Sequence, residues 1–130
     1  MIKFYKNYPN FIINISSFQN SDYNIMKSII SEIIEYSYCN KKNITVYVDT
    51  FNLSDYSILY IYKLIKFNNK FTYSEVKYIS NIELYINNKN KSLVSKFIYI
   101  LKVLCPININ INYLIKEKKW HKIFKEIYIY

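Results

Sequence analysis

The chain has 130 residues, 52% of them hydrophobic, which is enough apolar surface for one folded domain and too little length for two full cores. It contains no Gly, and this excludes dinucleotide fingerprints, phosphate-cradling loops and a G-x-S-x-G nucleophile elbow, each of which needs Gly for a close backbone approach or a strained turn. The net charge of +9 rests on 18 basic residues, all Lys and scattered along the chain, so without the bidentate contacts of Arg it reads as solvated surface, and nucleic acid is an unlikely partner.

Residues 2–5 and 11–15 are apolar and β-prone, and Asn7-Tyr8-Pro9-Asn10 between them is a turn signal, so an N-terminal hairpin is expected. Ser21-Asp22 offers an N-cap to a first helix. Behind it Ile25, Met26, Ile29, Ile30, Ile33 and Ile34 fall on one helical face, and the helix should stop near Asn40-Lys41-Lys42. Residues 44–48 (ITVYV) read as a strand. Ser54-Asp55 caps a second helix carrying Ile58, Leu59, Ile61, Tyr62, Leu64 and Ile65, followed by a turn or short helix around Ser74-Glu75-Val76. Residues 82–86 (IELYI) form the next strand, and Ser92 caps a third helix through Leu104, halted by Pro106. Residues 107–112 alternate Ile and Asn, as a half-buried strand does. A last helix is expected from about Lys116 to Ile127, with Trp120, Ile123, Phe124 and Ile127 on one side and Lys118, Lys119, Lys122 and Lys125 opposite.

The expected architecture is a single α/β domain over residues 1–130: a hairpin, then β-α repeats building a mainly parallel sheet of four to five strands. Alternation sorts the strand residues into two faces. One collects Phe11, Ile13, Ile15, Ile44, Val46, Val48, Ile82, Leu84, Ile86, Ile107, Ile109 and Ile111. The other collects Ile12, Asn14, Thr45, Tyr47, Glu83, Tyr85, Asn108 and Asn110. A sheet covered by helices on both sides would be greasy on both faces. This contrast therefore places the helices mostly on one face. The second face needs cover from the hairpin, the last helix or a partner.

Turns that require positive φ must use residues other than Gly, and Asn68-Asn69 and Asn87-Asn88 look like such substitutes. Cys39 and Cys105 lie far apart in sequence and form no C-x-x-C, and with one His they suggest no zinc site; they read as reduced, semi-buried thiols. No secretory signal and no span-length apolar run is visible, so a cytoplasmic location without a transmembrane segment is expected. The dominance of residues with A/T-rich codons, Ile, Lys, Asn, Tyr and Phe, fits an A/T-biased genome such as that of a large DNA virus.

Within residues 44–104 the stretch ITVYVDTFNLSDYSILYIYKLIKF resembles the STAS domain family, in which a hairpin precedes β-α repeats wound in one direction, and TYSEVKYISNIELYINN resembles the CRAL-TRIO pattern of a Tyr-Pro-Glu turn leading into an Ile-rich strand ending in Asn. The CRAL-TRIO lipid-binding domains share that general topology. The resemblance implies a STAS-like fold and a regulatory role. STAS regulators carry Asp-Ser before a Gly at the start of this helix, with a phosphorylatable Ser. Here Asp55 matches the Asp, Tyr56 occupies the Ser position, and Ser54 and Ser57 are the nearest serines.

Ligands of open α/β sheets bind beyond the carboxyl ends of the strands. That rim would hold Asp49, Asn52, Ser54, Asp55, Ser57, Asn87 and Asn88, with Ser16 and Ser17 beside them, although these residue types are first of all those of caps and turns. Asp49 and Asp55 have no third acid nearby, and His121 has no Ser, Cys or acid nearby in sequence to orient it, so no catalytic residue, metal ligand or cofactor is assigned. Tyr47 and Tyr85, on the polar face of neighbouring strands, are the candidate interface. The expected function is a non-enzymatic protein-interaction or regulatory module, acting as a homodimer or with a protein partner. The alternatives are a carrier of lipid or another apolar ligand, and a nucleic-acid or peripheral membrane binder using the basic last helix.

Overall fold

A computed structural model describes residues 1–19, 21–53, 73–95, 107–120 and 126–129. Six strands lie in one sheet among these residues: β1 (Ile2–Asn7), β2 (Asn10–Ile15), β3 (Ile44–Asp49), β4 (Ile79–Asn87), β5 (Ile109–Leu114) and β6 (Glu126–Ile129). Helix α1 spans Asp22–Asn40, and a single helical turn, α2, spans Tyr73–Val76. The strand order is β5-β4-β3-β2-β1-β6. Strands β2 to β5 are mutually parallel, whereas β1 is antiparallel to both β2 and β6. From β1 to β5 each strand is therefore added beside its predecessor, and the chain is an α/β domain with a mostly parallel sheet.

The hairpin forms at the expected turn, through a cis Tyr8-Pro9 peptide. Alternation along the strands decides the faces as expected. Phe11, Ile13, Ile15, Ile44, Val46, Val48, Ile82, Leu84, Ile107, Ile109 and Ile111 join one apolar cluster with Ile2 and Phe4. Onto this cluster α1 lays Met26, Ile29, Ile33 and Ile34, with Ile25 and Ile30 at its margin, and Val76 of α2 joins it. Burial of such side chains stabilises by about 1.5–3 kcal/mol each. The helix face predicted from the i, i+3, i+4 spacing is the one that docks.

Several local expectations are corrected. Ser21 occupies the N-cap of α1, but its hydroxyl makes no capping bond. The turn is tied instead by Asp22, whose Oδ2 accepts from the Gln19 amide at 3.0 Å. The left-handed position at the end of α1 is taken by Lys41, at φ 51°. Asn87 has an ordinary φ of −63° and caps a short 3₁₀ turn at Asn88–Asn90 by accepting from the Lys89 amide. Ser92 falls inside the helical residues 91–95 rather than ahead of them. Cys39 is exposed. The second helix, Asn68-Asn69, Cys105 and the third helix beyond residue 95 lie outside the described residues.

The largest correction concerns the C-terminal region. Residues 115–119 are irregular, and residues 126–129 form β6. The basic helix proposed for Lys118, Lys119, Lys122 and Lys125 is thus absent at Lys118 and Lys119, while Lys122 and Lys125 lie outside the described residues. Four-residue alternation such as EIYI suits a strand as well as a helix end, and pairing with β1 decides it. The sheet accordingly has six strands, not four to five. No helix among the described residues is long and apolar enough to cross a membrane.

Candidate functional site

The sheet order has a geometric consequence. β5 and β6 lie at opposite edges, so the connection between them must travel the width of the sheet. Its described end, Trp120, lies on the second face. Trp120, 3% exposed, packs there on Tyr5 and Ile12, with Tyr47 and Tyr85 alongside. The cross-strand register explains the grouping. Tyr5 stands opposite Ile12, Ile12 opposite Tyr47, and Tyr47 opposite Glu83. In the adjacent row Asn14 stands opposite Asp49, Asp49 opposite Tyr85, and Tyr85 opposite Asn112.

Three rings meet at one corner. The Trp120 ring lies 5.5 Å from Tyr47 and 5.3 Å from Tyr85, the latter edge-on at 72°, and Tyr47 and Tyr85 are stacked at 6.3 Å. At the floor of the corner is Asp49, only 1% exposed at the end of β3. Its Oδ2 accepts from Trp120 Nε1 at 2.6 Å and its Oδ1 from the Phe51 amide at 2.9 Å. Burial pushes the Asp49 carboxyl above the ordinary range. The Phe51 and Trp120 hydrogen bonds and the Lys118 charge oppose that shift, and Glu117 adds to it. The phenols of Tyr5 and Tyr85 are also raised, first by burial and then by nearby carboxylates, Asp49 acting on both. Lys118 reaches over the same corner, its Nζ 4.5 Å from the Trp120 ring centre and 5.0 Å from that of Tyr85.

Beside the aromatic corner lies a polar hub. The Glu83 carboxylate accepts from the side-chain amides of Asn81 at 2.7 Å and of Asn110 and Asn112 at 3.0 Å each. Thr45 extends it by donating to Asn81 Oδ1. The Ile-Asn alternation of β5 puts its two amides on the face that carries Glu83.

Of the rim residues expected to converge, Asp49, Asn52 and Asn87 meet around the loop after β3. Asn52 donates to Glu117 at 2.8 Å, and Asn87 donates to the Phe51 carbonyl at 3.5 Å. Asn88 opens the 3₁₀ turn. Ser16 and Ser17 hydrogen-bond to Met1. Ser54, Asp55 and Ser57 lie outside the described residues, as does His121. Tyr47 and Tyr85 are neighbours, as expected, and both are half-buried. Glu83 as a hub, Trp120 as the partner of Asp49, and Lys118 on the rings are additions of the structure to that set. Glu83 was legible from alternation with Tyr47 and Tyr85, but the Trp120 contact had no local signal.

The corner therefore combines aromatic faces with buried negative charge, a setting that attracts a cation. No group of three or more His, Cys, Asp or Glu among the described residues is arranged to hold a metal ion. No known family, curated protein or solved structure matches the chain.

Proposed function

We propose that this chain is a non-enzymatic protein-interaction or regulatory module of STAS-like layout, which meets a partner protein, or a second copy of itself, through the second sheet face around Tyr47 and Tyr85. The observation that carries the reading is the asymmetry of the sheet. Helices α1 and α2 bury one face, whereas the other holds two adjacent tyrosines half-buried among polar groups that are already hydrogen-bonded. Large rigid amphipathic side chains supply contact area at little entropic cost. A surface whose amides are tied down by Glu83 also loses little further freedom on association.

Native mass spectrometry of the protein as purified from cells reads its assembly state, and Tyr47→Ser with Tyr85→Ser tests the surface. The expected result is a dimer or a defined complex that the double variant loses while keeping its far-ultraviolet circular dichroism. Assembly and partner capture unchanged by the double variant would remove the reading.

A further inference from the structure

The aromatic corner already holds a ligand of a recognisable kind, the chain's own lysine. Lys118 Nζ sits over two rings set nearly perpendicular to each other, those of Trp120 and Tyr85. Tyr47 stacks beside Tyr85 and lies 5.5 Å from Trp120. Asp49 lies within electrostatic range of Lys118, and Glu117 precedes it in the chain. Perpendicular aromatic faces around an ammonium, with a carboxylate behind them, are the arrangement that recognises alkylammonium groups. The chain as a whole is strongly basic, with 18 basic residues against 9 acidic ones, yet Asp49, Glu83 and Glu117 all act on groups of this corner.

The geometry points to an alkylammonium-binding site formed by Tyr47, Tyr85, Trp120 and Asp49, held in cis by Lys118 and able to take a methylated lysine of a partner protein in exchange. The proposal rests on the second face being the contact surface, and it names the chemistry recognised there. Exchange favours the methylated group because an unmodified ammonium is strongly hydrated. Methylation removes hydrogen-bond donors and weakens that hydration while the charge stays. Lys118 therefore holds the corner weakly and acts as a built-in competitor.

Trp120 is the only tryptophan in the chain, so its fluorescence reports on the corner directly. The probe is N-acetyl-Nε-trimethyllysine amide, titrated at constant ionic strength into the wild-type chain and into Lys118→Ala, with the neutral tert-butyl carbon isostere of the probe as control. We expect a saturable change in Trp120 emission, tightened about two- to fivefold in Lys118→Ala, the factor set by one exposed cation-π contact. The isostere should bind more weakly to both proteins. The site is overturned if neither protein gives a saturable change while Trp120 emission stays blue-shifted, if the isostere binds as tightly as the cation, or if Lys118→Ala binds no tighter than wild type. Should the titration fail while assembly still depends on Tyr47 and Tyr85, the ammonium chemistry falls and the interaction surface stands.

Discussion

Trp120 Nε1 donates to Asp49 Oδ2 at 2.6 Å across 71 positions of sequence, joining the segment after β5 to the end of β3. The bond holds the segment after β5 against the second face, and with the Phe51 amide it gives the buried carboxylate two partners among the described residues. Trp120→Phe keeps an aromatic ring but removes the donor. Because a hydrogen bond to a charged group contributes about 1.5–3 kcal/mol, the variant should lose about 2–3 kcal/mol of stability. Urea denaturation followed by far-ultraviolet circular dichroism measures it. A loss under about 0.5 kcal/mol would show that the bond contributes little, as exposed polar contacts do.

Asp49 also makes stability depend on pH. Burial raises its carboxyl above the ordinary range, so the folded chain holds this proton more tightly than the unfolded chain does. Between the ordinary value and the raised one the folded state binds more protons, and stability falls as pH rises through that window. Above the window the effect is constant. Asp49→Asn cannot titrate, so its stability relative to wild type should increase as pH climbs through the window and then level off. Thermal melts of both proteins from acid to neutral pH test this, and a pH-independent difference between them would contradict it.

The Glu83 hub predicts a substitution that looks mild and is not. Glu83→Gln keeps size but replaces one acceptor oxygen with an NH₂ group facing the amides of Asn81, Asn110 and Asn112. One donor must turn away, at a cost of about 1–2 kcal/mol for a partly buried site. The loss should be local, since two of the amides belong to β5. Hydrogen exchange should quicken in β5 before β3, and equal acceleration in both strands would argue against a local hub.

Helix α1 offers a contrast between its two sides. Ile29 is 1% exposed in the core, and Ile29→Ala should cost about 2–5 kcal/mol through lost burial and the cavity left behind. Glu32 pairs with Lys6 of β1, but the Glu32 side chain is 41% exposed. Glu32→Ala should therefore cost under about 1 kcal/mol. Denaturant midpoints of the two variants rank them, and a reversal of the order would mean that α1 is held by charge rather than by its apolar stripe.

The faces of the sheet were readable because alternation is a local property. Thr45 and Tyr47 point one way and Ile44, Val46 and Val48 the other, whatever the strand pairs with. Helix α1 was readable for the same reason, since Met26, Ile29 and Ile33 repeat within a few residues. The C-terminal region was not readable. Trp120, Ile123, Phe124 and Ile127 have helical spacing, yet Ile127 belongs to a strand whose partner is Tyr5 of β1, at the other end of the chain. Pairing at that distance overrides a short local period. The candidate site was half legible in the same sense. Tyr47, Tyr85 and Asp49 were identified from their strands, but the residues that complete the corner, Trp120 and Lys118, come from an irregular segment whose path only the strand order determines.

The pairing of β1 with β6 has a mechanical consequence. Lys3 stands opposite Ile129 and Lys6 opposite Glu126, so residues 3 and 129 are neighbours at the same end of an antiparallel ladder. A pulling force applied between them would not shear the ladder, which would load all its hydrogen bonds together. It would peel β6 from β1 one rung at a time, and then draw on the connection anchored by Trp120. Under tension the sheet would therefore open first at this seam, while the parallel strands β2 to β5 remained closed around the apolar core.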